Sequence, residues 1–278
     1  MSQRPGFPAK LPALGAPRTT RTPAPLVGTQ RPVAMPTPKP VPSKAVAGTS
    51  PAQRSAPLRS GLGMGMDYGP LRARMVSNLA AQGLQDPMVL QAMGLVERHR
   101  FVETALAVQA YEDTSLPIGL GQTISKPNVV ARMIELMREG ISGKLGRILE
   151  IGTGCGYQAA VLSHVATEVY SLERLRGLHE KSRENLRPLR LHNVHLIFGD
   201  GMLGYPKGGP YAGIISAAGG ESVPQAWLDQ LAVGGRLVAP TITPAGHQAL
   251  VVILRTAEGF DRQVLEAVHF VPLKSGVA

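Results

Sequence analysis

The 278-residue sequence is poor in cysteine, aromatic residues and long apolar segments, and each shortage excludes a class of protein. Cys155 is the only cysteine, so no disulfide can form within the chain, and we predict a cytoplasmic location. The 7 histidines lack the spacing of metal ligands, and we expect no metal site. A membrane span would need about 20 consecutive apolar residues, and neither such a run nor the apolar segment of a secretory signal is found.

Acidic residues are absent from residues 1–60, which hold thirteen prolines and nine lysines or arginines. Dense proline removes backbone donors, and the segment has too few large apolar residues to form a core. We therefore predict a disordered, basic, proline-rich tail over residues 1–65 and a folded domain over residues 66–278. The tail could bind nucleic acid or acidic surfaces weakly. It could equally be a solubilising extension, or result from a start codon assigned upstream of the true one.

The folded part offers little to a nucleic acid. Of the 29 basic residues, 20 lie in residues 61–278 against 19 acidic ones, so the net charge of +10 falls to +1 there. Aromatic residues make up 4% of the chain, which argues against a base-stacking surface. We expect no stable nucleic-acid partner.

A short apolar stretch followed by closely spaced glycines is the most informative feature of the chain. Residues 148–151 predict a strand, and Gly152, Gly154 and Gly156 follow it directly, before helix-forming residues. Glycine has no Cβ, so such a turn brings bare backbone close to a ligand. Dinucleotide-binding folds use Gly-x-Gly-x-x-Gly, whereas these glycines are one residue closer together.

Acids stand at the ends of the next two predicted strands. Glu173 ends the second strand, 21 residues beyond Gly152, and Asp200 ends the third. In doubly wound folds an acid at the end of the second strand hydrogen-bonds the ribose hydroxyls of the cofactor. Asp200 could accept a hydrogen bond from an adenine amino group. A lone acid at a strand end is commonly just solvated, but two in succession behind a glycine loop favour a cofactor site.

The alternation of strands and helices predicts an α/β fold with a doubly wound, mainly parallel sheet of seven strands, preceded by a helical N-terminal part. In that part we expect helices over residues 71–82 and 102–111, with another between them opened by Asp86 and Pro87. The predicted strands cover residues 147–151, 168–173, 194–198, 212–217, 235–240, 249–256 and 266–271. The helices between them cover residues 157–166, 174–187 and 224–231.

Residues 116–137 strongly resemble the region before the cofactor domain of protein-L-isoaspartate O-methyltransferases, which are class I S-adenosylmethionine-dependent methyltransferases. The Gly-Gln-Thr-Ile-Ser-x-Pro core of that region, residues 121–127 here, is highly specific to the family. The resemblance covers about residues 71–273 and closes with Val-His-Phe-Val-Pro-Leu at residues 268–273. It implies a Rossmann-like methyltransferase fold and S-adenosyl-L-methionine as cofactor. The implied reaction is methylation of the α-carboxylate of L-isoaspartyl residues in damaged proteins and peptides, which initiates their repair to aspartate.

The resemblance also implies roles for individual residues. Ser125 matches the active-site serine of the family, whose hydroxyl would orient the substrate carboxylate. Peptide contacts are expected at Phe270, Val271 and Pro272. Cofactor contacts are expected at Gln122, Thr123, Ile124, Gly152, Thr153, Gly154, Gly156, Tyr157, Glu173, Asp200 and Gly201. The expected partners are isoaspartyl proteins and peptides, with no membrane involved and the enzyme a monomer.

Ser125 has a second interpretation from pattern alone. It precedes Lys126, Pro127 and an apolar-periodic run, which is typical of a helix N-cap. Both roles could hold together.

Three departures from the family pattern concern the rim of the expected pocket, and none is expected to touch the methyl-transfer geometry directly. Ala212 replaces an acid, Met202 replaces a frequent tryptophan, and residues 216–220 read Ser-Ala-Ala-Gly-Gly where Thr-Ala-Ala-Pro is typical. They leave the substrate preference more open than the reaction type.

Two other function classes compete with this interpretation. A nucleic-acid methyltransferase or binding protein would explain the basic tail, but it would need basic and aromatic residues on the folded domain. A nucleotide-dependent oxidoreductase would explain the glycine loop and Glu173, but the glycine spacing disfavours it.

Overall fold

The computed structural model describes residues 66–278, and the predicted disordered tail, residues 1–65, lies outside the described residues. The helices are α1 (Gly69–Ala81), α2 (Pro87–Leu95), α3 (Pro127–Arg138), α4 (Tyr157–Val165), α5 (Arg176–Leu186) and α6 (Gln225–Gln230). The strands are β1 (Leu116–Gly119), β2 (Gln122–Ile124), β3 (Leu145–Ile151), β4 (Ala166–Glu173), β5 (Val194–Phe198), β6 (Tyr211–Ser216), β7 (Leu231–Ile242), β8 (Gln248–Arg255) and β9 (Phe260–Ala267). Within residues 66–278, every helix is too short or too polar to serve as a membrane span.

Strands β3 to β9 form one sheet in the order β5-β4-β3-β6-β7-β8-β9, and β1 pairs with β2 in a separate hairpin. The pairs from β5 to β7 are parallel, and β8 and β9 continue the sheet antiparallel. The chain winds outward from β3 to β5 and then crosses to β6 on the other side of β3. The prediction of a doubly wound, mainly parallel sheet of seven strands is confirmed, and its switch point lies between β3 and β6.

The central strand is buried on both faces. Ile148 belongs to the apolar cluster that includes residues of α3 and α4, and Leu149 belongs to the cluster around Trp227 of α6. Both side chains are fully buried. Neighbouring residues of a strand point to opposite faces, so a sheet covered by helices on both sides needs the continuous apolar run seen in the sequence.

The start of α2 is as predicted. The Asp86 carboxylate accepts hydrogen bonds from the backbone N–H groups of Met88 (2.9 Å) and Val89 (3.1 Å), and Pro87 opens the helix. The same carboxylate pairs with the buried guanidinium of Arg138 at the end of α3 (2.7 Å). The residue that caps α2 therefore also connects α2 to α3.

The helix predicted over residues 102–111 is wrong. Three short 3₁₀ turns are found instead, Arg98–Phe101, Thr104–Leu106 and Gln109–Tyr111. Val102 has an extended backbone (φ −123°, ψ 168°) that interrupts any continuous helix. The Ala110 carbonyl accepts a hydrogen bond from the Arg98 side chain (2.8 Å), so a tertiary contact replaces part of the helical hydrogen bonding.

The last strand was predicted too far along the chain, at residues 266–271. β9 ends at Ala267, lies at the edge of the sheet and is exposed along most of its length. An exposed edge strand has little hydrophobic signal, so the apolar residues 268–271 drew the prediction away from it. Those residues leave the sheet and line a cavity described below.

The interpretation of Ser125 as a helix N-cap is wrong. α3 begins at Pro127, and Lys126 at the N-cap position makes no side-chain cap. The Asp113 carboxylate accepts from the Asn128 N–H of the first turn instead (2.9 Å). Proline is favoured at the first helical position, which makes the residue directly before it the cap. Ser125 is therefore one residue too early.

Candidate active site

The loops after β3 and β6 meet at the switch point of the sheet. The N–H groups of Gly152 and Thr153 donate to the Leu172 carbonyl at the end of β4 (2.8 and 3.0 Å), and Ala217 N–H donates to the Ile151 carbonyl (2.8 Å). A cavity of about 440 Å³ opens beside these loops. Its volume falls within the roughly 300–1,000 Å³ of small-molecule sites, and its position is where ligands of doubly wound folds bind. We call it the cofactor cavity.

The predicted glycine loop presents bare backbone to this cavity. Gly152 and Gly154 line it, with φ angles of 88° and 56° that other residues rarely adopt. Gly156 also has a positive φ (91°) but lies at the N-cap of α4, where an added Cβ would come within 3.0 Å of Leu186. The first two glycines therefore face the cavity, and the third allows close packing of the helix.

Glu173 lies at the wall of the cofactor cavity, as its position after the second strand predicts. Its carboxylate accepts hydrogen bonds from the N–H groups of Gly154 (2.8 Å) and Leu175 (2.9 Å), and the residue is only 5% exposed. A carboxylate has about four acceptor positions, so these two bonds leave capacity for hydroxyl donors of a ligand.

A buried acid beneath the loop received no role from the sequence. Glu150 of β3 is fully buried, and its carboxylate accepts a hydrogen bond from the Ser171 hydroxyl. Ser171 in turn lies 2.6 Å from the Thr153 hydroxyl, which links the acid to the glycine loop. Burial raises the pKa of Glu150 to about 8, and the hydrogen bond from Ser171 offsets this only in part. An acid within an apolar strand was the signal that could have identified it.

Asp200 and Gly201 form another part of this region. The Asp200 carboxylate accepts hydrogen bonds from the N–H groups of Met202 (2.8 Å) and Gly276 (2.6 Å). Gly201 lines the cavity, and an added Cβ there would lie 2.6 Å from a methyl carbon of Ile151. Gly201 is thus needed for close packing of the wall, whereas a contact between Asp200 and an adenine group stays a prediction.

A second cavity of about 360 Å³ adjoins the first and contains Ser125, which is half-buried. We call it the Ser125 cleft. Thr123, Ala217 and Val271 line both cavities. A space of about 40 Å³ is bordered by Ser125 and by Gly154 of the glycine loop. Molecules held in the two cavities would therefore meet beside Thr123 and Ser125.

The predicted residues Gln122, Thr123 and Ile124 form β2. Gln122 and Thr123 line the cofactor cavity, while Ile124 is buried and borders the small space. The hairpin itself was not predicted. Buried Leu116 and Ile118 alternate with exposed residues before a Gly-x-Gly turn, and this period of two was the signal that could have found it.

The predicted peptide-contacting segment forms the wall between the cavities. Phe270 and Val271 line the Ser125 cleft, whereas Pro272 lines the cofactor cavity. The Gln248 side chain makes two hydrogen bonds with the Phe270 backbone. It accepts from the Phe270 N–H (2.7 Å) and donates to the Phe270 carbonyl (3.2 Å). Gly219 N–H donates to the Val271 carbonyl (2.8 Å). The segment is therefore fixed by its backbone.

Thr153 and Tyr157 border only the small space and face the protein interior. The Tyr157 hydroxyl donates to the Met93 sulfur (3.6 Å), and the Arg98 guanidinium lies over its ring, 4.7 Å from the centroid. Burial raises the pKa of Tyr157 to about 12. Contacts of these two residues with a cofactor stay predictions.

Lys274 lines one side of the cofactor cavity, and the residues after it are bound to the loop that follows β4, a role that no sequence pattern predicted. The Arg174 side chain donates to the Gly276 carbonyl (2.8 Å). Ala278 N–H donates to the Arg174 carbonyl (2.8 Å). A short segment without apolar periodicity has no sequence signal for such a contact.

The three departures from the family pattern lie in different places. Ala212 is at the end of β6 away from the cavities, and Met202 lies beside Asp200. Gly219 and Gly220 bridge to Pro272 and Thr241. Of these residues, Gly219 therefore contacts the wall between the two cavities.

Two adjoining cavities with a shared wall suit the transfer of a group between two bound molecules. Holding the reactants in the right geometry can contribute about 7–11 kcal/mol to lowering the barrier. The arrangement favours a transferase over a protein that only binds one ligand.

Comparisons with known proteins agree with this interpretation. Residues 71–278 match the family model described as protein-L-isoaspartate(D-aspartate) O-methyltransferase. A protein-L-isoaspartate O-methyltransferase of Methylibium petroleiphilum is 60% identical over 217 residues, which cover 77% of this chain and 81% of that protein. One of Leptothrix cholodnii is 57% identical over 219 residues, which cover 78% and 77%.

Solved structures show the same fold. A protein-L-isoaspartate O-methyltransferase superposes with a TM-score of 0.66 at 27% identity, covering 74% of this chain and 67% of that one. A putative member from Plasmodium falciparum, in complex with S-adenosyl-L-homocysteine, gives 0.64 at 24% identity and covers 73% and 98%.

Proposed function

The chain belongs to the protein-L-isoaspartate(D-aspartate) O-methyltransferase family, and we infer from this membership which reaction its paired cavities serve. It transfers a methyl group from S-adenosyl-L-methionine to the α-carboxylate of L-isoaspartyl residues in damaged proteins and peptides, which initiates repair to aspartate. The observation that carries the assignment of sites is the wall shared by the cofactor cavity and the Ser125 cleft.

We propose that S-adenosyl-L-methionine, which supplies an activated methyl group when bound, occupies the cofactor cavity. Three features of the wall fit it. Gly152 and Gly154 allow close approach to bare backbone, Glu173 has free capacity to accept from ribose hydroxyls, and Thr123 connects this cavity to the Ser125 cleft.

The Ser125 cleft is proposed to hold the isoaspartyl carboxylate. A carboxyl group with an ordinary pKa near 4 is ionised at neutral pH, so no general base has to create the nucleophile. What the chain must supply is orientation and the exclusion of water. Ser125 can donate its hydroxyl to one carboxylate oxygen, while Phe270 and Val271 provide apolar lining of the cleft.

Replacement of Ser125 by alanine tests this role. The hydroxyl caps no helix, so stability should change by no more than about 0.5 kcal/mol, the usual range for a residue outside the core. The turnover number should fall about 10- to 100-fold because the nucleophile loses its orientation. Ser125→Asn, which is longer and would displace the carboxylate, should be similarly slow.

Ser115 provides the matched control, since it lines the same cleft but is exposed. We expect Ser115→Ala to keep nearly normal turnover. A normal rate in Ser125→Ala, with the protein folded and the cofactor bound, would contradict the proposed role of Ser125.

We further propose that the enzyme acts as a monomer in the cytoplasm, without a nucleic-acid or membrane partner. The single cysteine, Cys155, is buried, and the net charge of +1 over residues 61–278 gives no reason to expect attraction to a polyanion. Sedimentation of the purified chain tests whether the enzyme is a monomer, and fractionation of cells tests its cytoplasmic location.

A further inference from the structure

Arg98 is a fully buried cation next to the active site. Its guanidinium donates from Nε to the Ala110 carbonyl (2.8 Å) and from Nη2 to the Ser125 carbonyl (2.7 Å). The same group lies over the Tyr157 ring. A side chain in the first 3₁₀ turn therefore reaches through the core to the backbone of the residue at the centre of the Ser125 cleft.

The charge of Arg98 is not balanced by a salt bridge to any residue in the described range 66–278. Its third nitrogen, Nη1, is buried and has no hydrogen-bond partner within that range. Burial lowers the pKa of the guanidinium, with partial compensation from the nearby Tyr157. Removing an ion from water costs several kcal/mol, so a buried cation without a carboxylate partner points to a use other than stability.

Arg138, also buried, shows the contrast. Arg138 is 4% exposed, but it pairs with the Asp86 carboxylate (2.7 Å) and donates to the Gly143 carbonyl (2.7 Å). It lies at the far end of α3 from Ser125 and lines neither cavity. Arg138 joins parts of the scaffold, whereas both hydrogen bonds of Arg98 go to main-chain carbonyls and one of these belongs to Ser125.

The hydrogen bond from Arg98 holds the Ser125 backbone from the interior of the protein. On one side, Ile124 is buried and paired with Leu116 in the hairpin. On the other, the Lys126 carbonyl accepts the first helical bond of α3 from Val130 (3.1 Å). With its own carbonyl bonded to Arg98, the Ser125 backbone is held at the residue itself and on both sides. A displacement of about 1 Å at a reacting group can cost about 100-fold in rate.

We propose that Arg98 is a positioning residue for methyl transfer, which holds the Ser125 carbonyl and so directs the Ser125 hydroxyl into the cleft. The inference rests on the proposed role of Ser125 at the substrate carboxylate. Methionine at position 98 should retain much of the packing volume but lose both hydrogen bonds. Lysine should retain the charge, yet its ammonium group does not have the planar fork that bridges two carbonyls.

The test compares the full-length Arg98→Met, Arg98→Lys and Arg138→Met enzymes on an isoaspartyl peptide. Affinity for S-adenosyl-L-homocysteine and thermal unfolding are measured alongside the turnover number and KM. The turnover number of Arg98→Met is expected to fall about 10- to 100-fold, while its affinity for S-adenosyl-L-homocysteine changes less than about threefold. The turnover number of Arg98→Lys should lie between those of Arg98→Met and the wild type. Arg138→Met should lose stability but keep normal turnover per folded molecule. Normal turnover in folded Arg98→Met would overturn the proposal, as would equal losses of turnover in Arg98→Met and Arg138→Met.

A double-mutant cycle shows whether Arg98 acts through Ser125. If it does, adding Arg98→Met to Ser125→Ala should slow turnover by less than about threefold, because the hydroxyl to be positioned is already gone. Fully multiplicative losses would overturn the Arg98 proposal and leave the role of Ser125 intact. Wild-type turnover in Ser125→Ala alone would instead contradict the proposed role of Ser125, and the Arg98 proposal with it. If Arg98→Met does not fold, the cycle with Arg98→Lys decides by the same criteria.

Discussion

Replacement of Glu173 by alanine tests the cofactor assignment through two separate effects. The Glu173 carboxylate accepts hydrogen bonds from the N–H groups of Gly154 and Leu175, and the proposed cofactor adds donors from its ribose. Alanine leaves both backbone N–H groups without this partner, which costs about 1–3 kcal/mol of stability for each group that stays buried. It also removes a charge-assisted hydrogen bond to the ligand, worth about 1–3 kcal/mol. The dissociation constant of the cofactor should therefore rise about 5- to 150-fold.

A matched control separates the two effects. Glu135 also accepts from two backbone N–H groups, those of Gln85 (2.7 Å) and Asp86 (3.0 Å), but it lines neither cavity. Glu135→Ala should lose stability in the same way and keep its affinity. Calorimetric titration with S-adenosyl-L-homocysteine measures the dissociation constant, and urea unfolding measures the stability. Unchanged affinity in folded Glu173→Ala would refute the assignment of the cofactor cavity.

Three further outcomes are expected. The pKa of Glu150 is about 8 in the folded protein, against an ordinary value of 4.5. The folded state therefore binds the proton of this carboxyl group more tightly than the unfolded state does. As a result, the contribution of Glu150 to stability falls as the pH rises between these two values. Glu150→Gln should therefore gain stability relative to wild type between about pH 5 and pH 8, and equal pH dependence of urea unfolding in the two proteins would contradict this. Gln248→Leu releases the Phe270 backbone, so we expect a higher KM for the peptide with little change in cofactor affinity, as steady-state kinetics and calorimetry would show. A chain that begins at Met64 should fold and keep its turnover on short peptides; loss of activity would show that residues 1–63 contribute to the site.

The features that the sequence predicted correctly are those with strong local signals. The parallel strands are apolar throughout because both of their faces are covered, and the glycines after β3 are required by positive φ angles. Asp86 and Pro87 identify the start of α2 because a cap and its proline are adjacent in sequence.

The errors and omissions depend on contacts between distant residues. Ser125 was one position too early for an N-cap, and the 3₁₀ turns at residues 98–111 are stabilised by the side chain of Arg98 rather than by helical bonding alone. Nothing local to Arg98 indicates that its guanidinium reaches a carbonyl 27 residues away. The exposed strand β9 lacks periodicity, and residues 274–278 are held against the cofactor cavity by Asp200 and Arg174.

The central claim is that the Ser125 cleft accepts an isoaspartyl carboxylate beside bound S-adenosyl-L-methionine. Its most direct test is incubation of the full chain with tritium-labelled S-adenosyl-L-methionine and two peptides that differ only in an isoaspartyl or an aspartyl residue. We predict label on the isoaspartyl peptide as a base-labile methyl ester, and little or none on the aspartyl peptide. Equal labelling of both peptides, or label that enters only RNA in a mixed incubation, would contradict the account.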